Sequence, residues 1–446
     1  MRKVLVALGL AVLAGVMFAV AMPPRSVSIL GWVFLVPLIL SLRRTRFIYG
    51  FVAGLVAAIS AAYVSTTPLV APNVISGDVS WNYVGFGLYG VVLAVMMGVA
   101  AEQKSMTFGR AAVLACLGVV LECLTFIKLP AHLALMQYAS SPAMALASVT
   151  GIWGVSWVMW FSNFALASDR DQKGWRFVAP GLAGLALLCS VVYWRPGGSL
   201  LGQDRVVAAV QTDEFGADEI LPLNQELVGK GVEVGVWPEL SVGDHDVAAI
   251  RGFAGSKGGY PIVVSMHDDH SPKPHNMAVL IDGDGVRGRY FKRKPFGSEE
   301  NEITAGTRPV VVQTLSQNVG LNVCFDSCYP AVMRDTANAG DPDLIALPTL
   351  DPASPNGFIQ AAHAAFTPFR AAELGVPIVR AEATAHSMLV NGDGGIVETL
   401  PAGFEGGVSN SVGVKRWTVY RQLGDWFLWF CVSVLIGAGG RMILKK

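Results

Sequence analysis

Three side chains in the second half of this 446-residue chain are of the types that carry out covalent catalysis: Glu239, Lys292 and Cys324. A thiol becomes a nucleophile once it loses its proton, a carboxylate can take that proton, and an ammonium can face the negative charge that follows. Brought together, such groups suit acyl transfer on C–N or C–O bonds. Each sits where a strand is expected to end. Glu239 closes VEVGVWPEL, Lys292 stands in GRYFKRKPFG ahead of a Pro–Phe–Gly turn, and Cys324 ends GLNVC before FDSCYP turns into a helix. In open α/β sheets, ligands bind in the crevice beyond the strand ends. Singly, none of the three says much. A glutamate after a strand is commonly a solvated loop residue, a lysine in a KRK run is commonly surface charge, and a strand-end cysteine commonly packs.

The elements that must position them come from the same region. VVAAVQ (206–211), VEVGVW (232–237), YPIVVSM (260–266), NMAVLID (276–282), PVVVQT (309–314), VGLNVCF (319–325), DLIALPT (343–349) and PIVRAE (377–382) read as strands. Most are short continuous apolar runs, as expected of strands covered on both faces. Residues 245–256 and 358–374 have helical spacing instead; in the latter Phe358, Ala361, Ala365, Phe366, Phe369 and Ala372 recur at steps of three and four. The alternation predicts one layered α/β domain.

The rest of the chain is of another kind. The sequence is 52% hydrophobic and only 15% charged, against about a quarter charged in soluble proteins. Apolar runs long enough to cross a bilayer occupy 4–22, 27–42, 47–64, 82–101, 111–127, 148–167 and 177–194, and an eighth follows at 424–440. The first resembles a signal peptide in its Arg2 and Lys3, but it is long for one and other spans follow at once, so it reads as uncleaved. With the N-terminus inside and a crossing at each run, the inner segments hold Arg2, Lys3, Arg43, Arg44, Arg46, Lys104, Arg110, Arg170, Lys173, Arg176, Arg441, Lys445 and Lys446. The short outer loops hold Arg25 and Lys128. That is 13 positive residues against 2, a strong positive-inside bias. It predicts a seven-span domain over 1–195, an outward-facing catalytic domain over 196–416 (periplasmic in a Gram-negative cell), and a C-terminal transmembrane helix with an inner tail over 417–446.

The zero net charge offers no electrostatic case for nucleic acid as a partner. Of the six cysteines, Cys116, Cys123, Cys189 and Cys431 lie inside apolar runs, so they form no disulfide framework. Cys324 and Cys328 could be oxidised together, although a reduced thiol with its own task is the better reading. His267, Asp268, Asp269, His270 and His275 read as a polar hairpin loop rather than a metal site, because nothing supplies a distant paired ligand. No cofactor motif is recognised. Lys292, Arg293 and Lys294 also admit a second reading, as a patch for phospholipid headgroups.

In their order and with their flanks the three residues say more. W-P-E (237–239), Y-F-K (290–292) with P-F-G (295–297), and C-F-D (324–326) with Pro330 resemble the hallmarks of the carbon–nitrogen hydrolase (nitrilase) superfamily from about Arg205 to Val414. With the spans around it, the chain is similar to the membrane-integral apolipoprotein N-acyltransferase branch. Residues 129–165 and the run F-x-x-x-R-A-A-E-L-G-V-P-I-V-R-A (366–381) are similar to that branch too. The resemblance implies a multi-span α-helical membrane bundle of about eight helices plus an extramembrane α-β-β-α sandwich. It implies Glu239 as the base, Cys324 as the nucleophile, and Lys292 with the Phe325 N–H around the oxyanion. Two further carboxylates are implied as holders of Lys292: Asp326, one methylene shorter than the usual glutamate, and Glu299, displaced by one position, with Glu300 as its rival. The partners implied are a phospholipid acyl donor, a lipoprotein or other amine acceptor, and the membrane.

The chain departs from the branch at TLDPASPNG (349–357), where the branch generally carries N-D-A-W-F-G, and in having only Arg293 and Lys294 between Lys292 and PFG. Both departures bear on the substrate more than on the chemistry. They leave open a membrane-anchored amidase or nitrilase-type hydrolase, and a conjugal-transfer (TraB-type) member with altered or lost activity.

Overall fold

The computed structural model describes residues 2–66, 80–169, 204–268, 273–352, 357–413 and 415–443. The chain divides into two units: Met1–Trp194 with Ala353–Ala362 and Asp425–Lys446, and Arg195–Pro352 with His363–Gly424.

The first unit is helical. Its helices are α1 (Arg2–Ala21), α2 (Val36–Leu42), α3 (Phe47–Thr66), α4 (Ser80–Ala101), α5 (Phe108–Glu122), α6 (Ser141–Thr150) and α7 (Ile152–Leu166), with the C-terminal helix Trp426–Ile443. Among the described residues, four stretches are long and apolar enough to cross a membrane: Val4–Ala21, Phe47–Thr66, Val84–Ala101 and Phe108–Ile127. Small residues let these helices approach closely, because lipid supplies no hydrophobic drive between them. A Cβ on Gly54 of α3 would fall 2.6 Å from the Ala94 Cα of α4, and one on Gly15 of α1 would fall 2.1 Å from the Ala57 carbonyl oxygen of α3. Among the described residues of this unit, the Glu122 carboxylate is fully buried. Glu122 accepts from the Tyr89 hydroxyl (3.0 Å), the Trp160 indole (3.0 Å) and the Leu133 N–H (3.1 Å), and His132 Nδ1 lies 3.1 Å from it. Such pairing is what a carboxylate within a membrane bundle requires.

Two expected spans take other shapes. The 148–167 run belongs to α6 and α7, which meet at 119°; Gly151, at φ +69°, turns the chain there. The 27–42 run is a 3₁₀ turn, Ser28–Trp32, followed by the two-turn α2 with Pro37 in its first turn. Proline lacks the N–H that would continue a helix from the preceding turn. The 424–440 run folds as the C-terminal helix, whose apolar part, Trp426–Gly439, is shorter than the four spans. The seventh expected span, 177–194, lies outside the described residues.

The second unit is built on two six-stranded sheets. Its strands are β1 (Arg205–Gln211), β2 (Val234–Val236), β3 (Ile262–Asp268), β4 (His275–Asp282), β5 (Gly285–Phe291), β6 (Val310–Gln313), β7 (Asn318–Leu321), β8 (Leu344–Thr349), β9 (Ile378–Glu382), β10 (Met388–Val390), β11 (Ile396–Thr399) and β12 (Gly406–Val412). The sheet orders are β12-β1-β2-β3-β4-β5 and β11-β10-β9-β8-β7-β6. The strands β1, β2 and β3 run parallel, as do β7, β8 and β9, with antiparallel strands flanking each trio. The sheets face each other through β1 against β9 and β2 against β8. Helices α8 (Ala217–Gln225) and α9 (Val247–Ala254) cover the first sheet's outer face, with Ile220 and Ile250 in a core shared with Val264 and Val279. Helices α10 (Pro330–Gly340) and α12 (Phe366–Leu374) pack on the second sheet, and α11 (Phe358–Ala364) precedes α12. The predicted helix over 358–374 is thus two, broken at Ala365. The eight predicted strands form, several shorter at their ends. The polar-faced β11 and β12 had no apolar run to announce them.

Candidate active site

Glu239 lies three residues past β2, after Trp237, whose N–H still reaches the Val263 carbonyl of β3 (2.9 Å), and Pro238, which has no N–H to donate. The Glu239 N–H reaches back to the Thr349 carbonyl at the end of β8 (3.3 Å), so the crevice lies between the two sheets' central strands. Lys292 is the first residue past β5, held by its N–H on the Asn276 carbonyl (2.8 Å). Cys324 lies three residues past β7, and its backbone turns left-handed, φ +47°, into the 3₁₀ turn Cys324–Cys328 ahead of α10. That conformation costs a non-glycine residue about 1–2 kcal/mol, and it aims the side chain away from the strand direction.

The structure brings these three together. The Lys292 ammonium donates to Glu239 Oε1 at 2.8 Å and to Glu299 Oε2 at 2.6 Å. The Leu350 N–H donates to Glu239 Oε2 (2.8 Å), and the Cys324 thiol donates to the Leu350 carbonyl (3.8 Å). All three side chains are buried. Burial works against the Lys292 ammonium, but Glu239, the Cys324 sulfur and Glu299 outweigh it and hold its pKa above that of ordinary lysine. For Cys324, burial pushes the thiol pKa well up and Glu239 adds to this, while Lys292 pulls it back only in part. At rest the sulfur therefore keeps its proton, with a carboxylate in hydrogen-bonding contact to take it.

Of the two carboxylates expected to hold Lys292, Glu299 makes the ion pair. It also accepts from the Phe296 N–H (2.8 Å) and the Asn276 amide (2.9 Å). Asp326 acts one step back. It accepts from the Tyr290 hydroxyl (2.7 Å) and from the N–H groups of Val323 (3.1 Å), Arg293 (3.2 Å) and Lys294 (2.9 Å), and so ties the lysine strand's end to the cysteine turn. Burial raises its carboxyl to about 6. Phe325 lies in the first turn after Cys324, where N–H groups have no acceptor within the turn.

The headgroup-patch reading of 292–294 needs correction. Lys292 is buried between two carboxylates, Arg293 pairs with Asp335 (2.9 Å), and Lys294 lies over the Tyr329 ring (4.6 Å).

Sequence reasoning passed over four residues. Asn276, in β4, donates to both Glu239 (2.7 Å) and Glu299. Asp351, His363 and Ser327 form a buried chain beside the sulfur. Asp351 Oδ1 meets His363 Nδ1 at 2.5 Å, and His363 Nε2 meets the Ser327 Oγ at 2.8 Å. A polar residue in an apolar strand was the available signal for Asn276. For the other three no local pattern exists. Cys324, Asp351 and His363 place donor-type atoms within 4.8 Å of one another, but Arg380 already occupies Asp351 as its cation, and both imidazole nitrogens are engaged. As it stands, this set is not a metal site. Among the described residues of the 267–275 loop, His275 Nδ1 meets the Thr304 carbonyl (2.7 Å) and its ring stacks on Phe291.

One test of this arrangement concerns pH. Burial opposes the Glu299 carboxylate, yet Lys292 brings its pKa below the usual 4.5. Its ionisation therefore stabilises the fold above that value, and the gain disappears as pH falls through the folded-state value. Glu299→Gln should melt lower at about pH 7, by roughly 1–3 kcal/mol, and lose less than wild type on acidification. Parallel acid limbs in the melting curves of the two proteins would contradict this.

The family model for carbon-nitrogen hydrolase matches residues 207–422, and that for the apolipoprotein N-acyltransferase N-terminal domain matches residues 14–165. An apolipoprotein N-acyltransferase from Geobacter metallireducens is 26% identical over an alignment of 485 residues, covering 95% of this chain and 93% of the relative. An (R)-stereoselective amidase from Pseudomonas sp. is 28% identical over 100 residues, 22% of this chain and 32% of the relative. Among solved structures, an amidase from Nesterenkonia sp. is similar with a TM-score of 0.43 at 20% identity, over 53% of this chain and 99% of that one.

Proposed function

We propose, from the premise that this chain belongs to the carbon–nitrogen hydrolase superfamily in its membrane-integral, apolipoprotein N-acyltransferase-like branch, that it carries an acyl group from a phospholipid to an amine through a thioester on Cys324. A lipoprotein N-terminus is the acceptor that the relative's name points to. Glu239 takes the thiol proton as the sulfur attacks the ester carbonyl. The oxyanion forms toward the Lys292 ammonium and the Phe325 N–H, and Glu239 returns the proton to the departing lysolipid oxygen. An amine then attacks the thioester, and Glu239 carries a proton back to the sulfur. Two half-reactions through one covalent intermediate give ping-pong kinetics.

The observation that carries this reading is the shared ammonium: Lys292 lies 2.8 Å from the carboxylate that serves the thiol, in a chain that also holds four membrane-length helices. Leu350, whose backbone carbonyl accepts from the thiol, is 43% exposed and offers apolar surface to an acyl chain. The 13-to-2 charge bias supports a catalytic domain on the outer face of the inner membrane, with both termini in the cytoplasm.

Incubating the purified full chain with acyl-labelled phospholipid should leave one acyl group on the protein by intact mass, removable by hydroxylamine. An unlabelled protein would overturn the proposal. A second reading, hydrolysis of amides with water as acceptor, is favoured by the TLDPASPNG loop. It predicts free acid at the same rate with or without an amine.

A further inference from the structure

We infer that Ser327, His363 and Asp351 form a second proton-handling chain behind Cys324, and that His363 takes the surplus proton released when a protonated amine is the acceptor. This rests on the acyl-transfer reading above and adds the form in which the acceptor arrives.

Proton balance creates the need. A peptide α-amine titrates near 8, so at about pH 7 it is mostly ammonium. When an ammonium ends as an amide, the new N–C bond forms, the S–C bond breaks, and two protons leave the nitrogen. Glu239 conducts one to the departing sulfur. The other has no receiver among Glu239, Lys292 and Cys324, since the carboxylate ends the cycle as it began and the ammonium cannot accept. Water as acceptor releases no second proton at the thioester, because the acid product ionises after it departs.

The geometry supplies a receiver. With His363 neutral, Asp351 accepts from Nδ1–H at 2.5 Å, and the Ser327 hydroxyl donates to Nε2 at 2.8 Å. With His363 protonated, Nε2–H donates to the Ser327 oxygen, and the hydroxyl turns to the Cys324 carbonyl, also at 2.8 Å. Both states are satisfied by one set of heavy-atom positions, so a proton is stored without moving the elbow. The chain is buried, and a donor atom of His363 lies within 4.8 Å of the sulfur.

The surroundings hold Asp351 ionised in both states. Arg380 pairs with its second oxygen, and the Asp351 N–H donates to Glu382 at 3.0 Å. Burial raises Glu382 to about 7, with Asp351 adding to it and Arg380 opposing. Among the described residues, the charged and titratable groups that meet the imidazole are Asp351 at 2.5 Å and Arg380 at 3.5 Å from Nδ1, with the Cys324 sulfur within 4.8 Å and Glu382 one step back on the Asp351 N–H.

The test separates the half-reactions. Full-length wild type, His363→Asn and Ser327→Ala are loaded with labelled phospholipid and chased with a peptide bearing a free α-amine, or with hydroxylamine, which is already neutral at neutral pH. Loading by the variants within about threefold of wild type shows an intact site. Transfer to the peptide should fall about 100-fold in His363→Asn at about pH 7 and recover as pH rises through the amine's own pKa. Hydroxylamine cleavage should stay at the wild-type rate, and Ser327→Ala should show a smaller loss of the same form. Equal losses toward both nucleophiles, a loss that persists at high pH, or no loss in either variant would overturn the inference. A wild-type protein that never loads would instead overturn the acyl-transfer reading itself.

Discussion

Cys324→Ala should show no acyl transfer above about one ten-thousandth of the wild-type rate, because the thioester that holds the acyl chain while the acceptor arrives is built on this thiol. Replacing one member of a unit that acts together removes nearly the whole effect of that unit, so further change at Glu239 or Lys292 should cost little more. The elbow permits a second readout. Its φ of +47° disfavours any side chain with a Cβ, so Cys324→Gly should be as inactive as Cys324→Ala yet melt higher. A glycine variant no more stable than the alanine variant would mean that the turn is not strained, and residual turnover in either would remove the thiol from the mechanism. Activity assays with phospholipid and an amine peptide, run beside thermal melts in the same detergent, decide both points.

Lys292→Met should lose both activity and stability. The ammonium is the shared partner of Glu239 and Glu299, at 2.8 and 2.6 Å. Removing one member of a buried ion pair leaves an uncompensated charge, at a cost of about 3–5 kcal/mol. The oxyanion donor is lost at the same time, which slows such reactions about 100- to 1,000-fold. Adding Glu299→Gln to Lys292→Met should recover part of the stability, since one stranded carboxylate becomes neutral, and none of the activity. Melting temperatures of the single and double variants test the first statement, and acyl-loading rates the second. A single variant as stable as wild type would show that the three groups do not share charge as described.

Much of this site was legible beforehand because its parts are short and local. W-P-E, Y-F-K and C-F-D each occupy three adjacent positions, and the first and last mark strand ends that the apolar runs also mark. Eight strands were readable for the same reason. Spans were less so. Hydropathy averages over a run and does not register the turn at Gly151 or the early proline of α2, so it carried the α7 run across that turn into the end of α6 and straightened 27–42. The second reading of Lys292, Arg293 and Lys294, as one headgroup patch, is corrected for a related reason. Adjacent cations look alike in sequence, while the turn after β5 sends one inward to two carboxylates and its neighbours to Asp335 and Tyr329.

Residue order alone determined that a water-compatible α/β domain is set among membrane spans, and that a thiol, an ammonium and a carboxylate stand at three of its strand ends. Tertiary structure alone decided that one ammonium serves two carboxylates, that Asn276 bridges them, and that a Ser–His–Asp chain stands behind the nucleophile. The reason is sequence separation. Burial periodicity is imposed on neighbours and leaves a trace in the pattern, whereas Glu239 and Leu350 meet across 111 positions and Ser327 and His363 across 36. Hydrogen bonds at such separations depend on how two sheets pack, and a single sequence carries no periodic record of that.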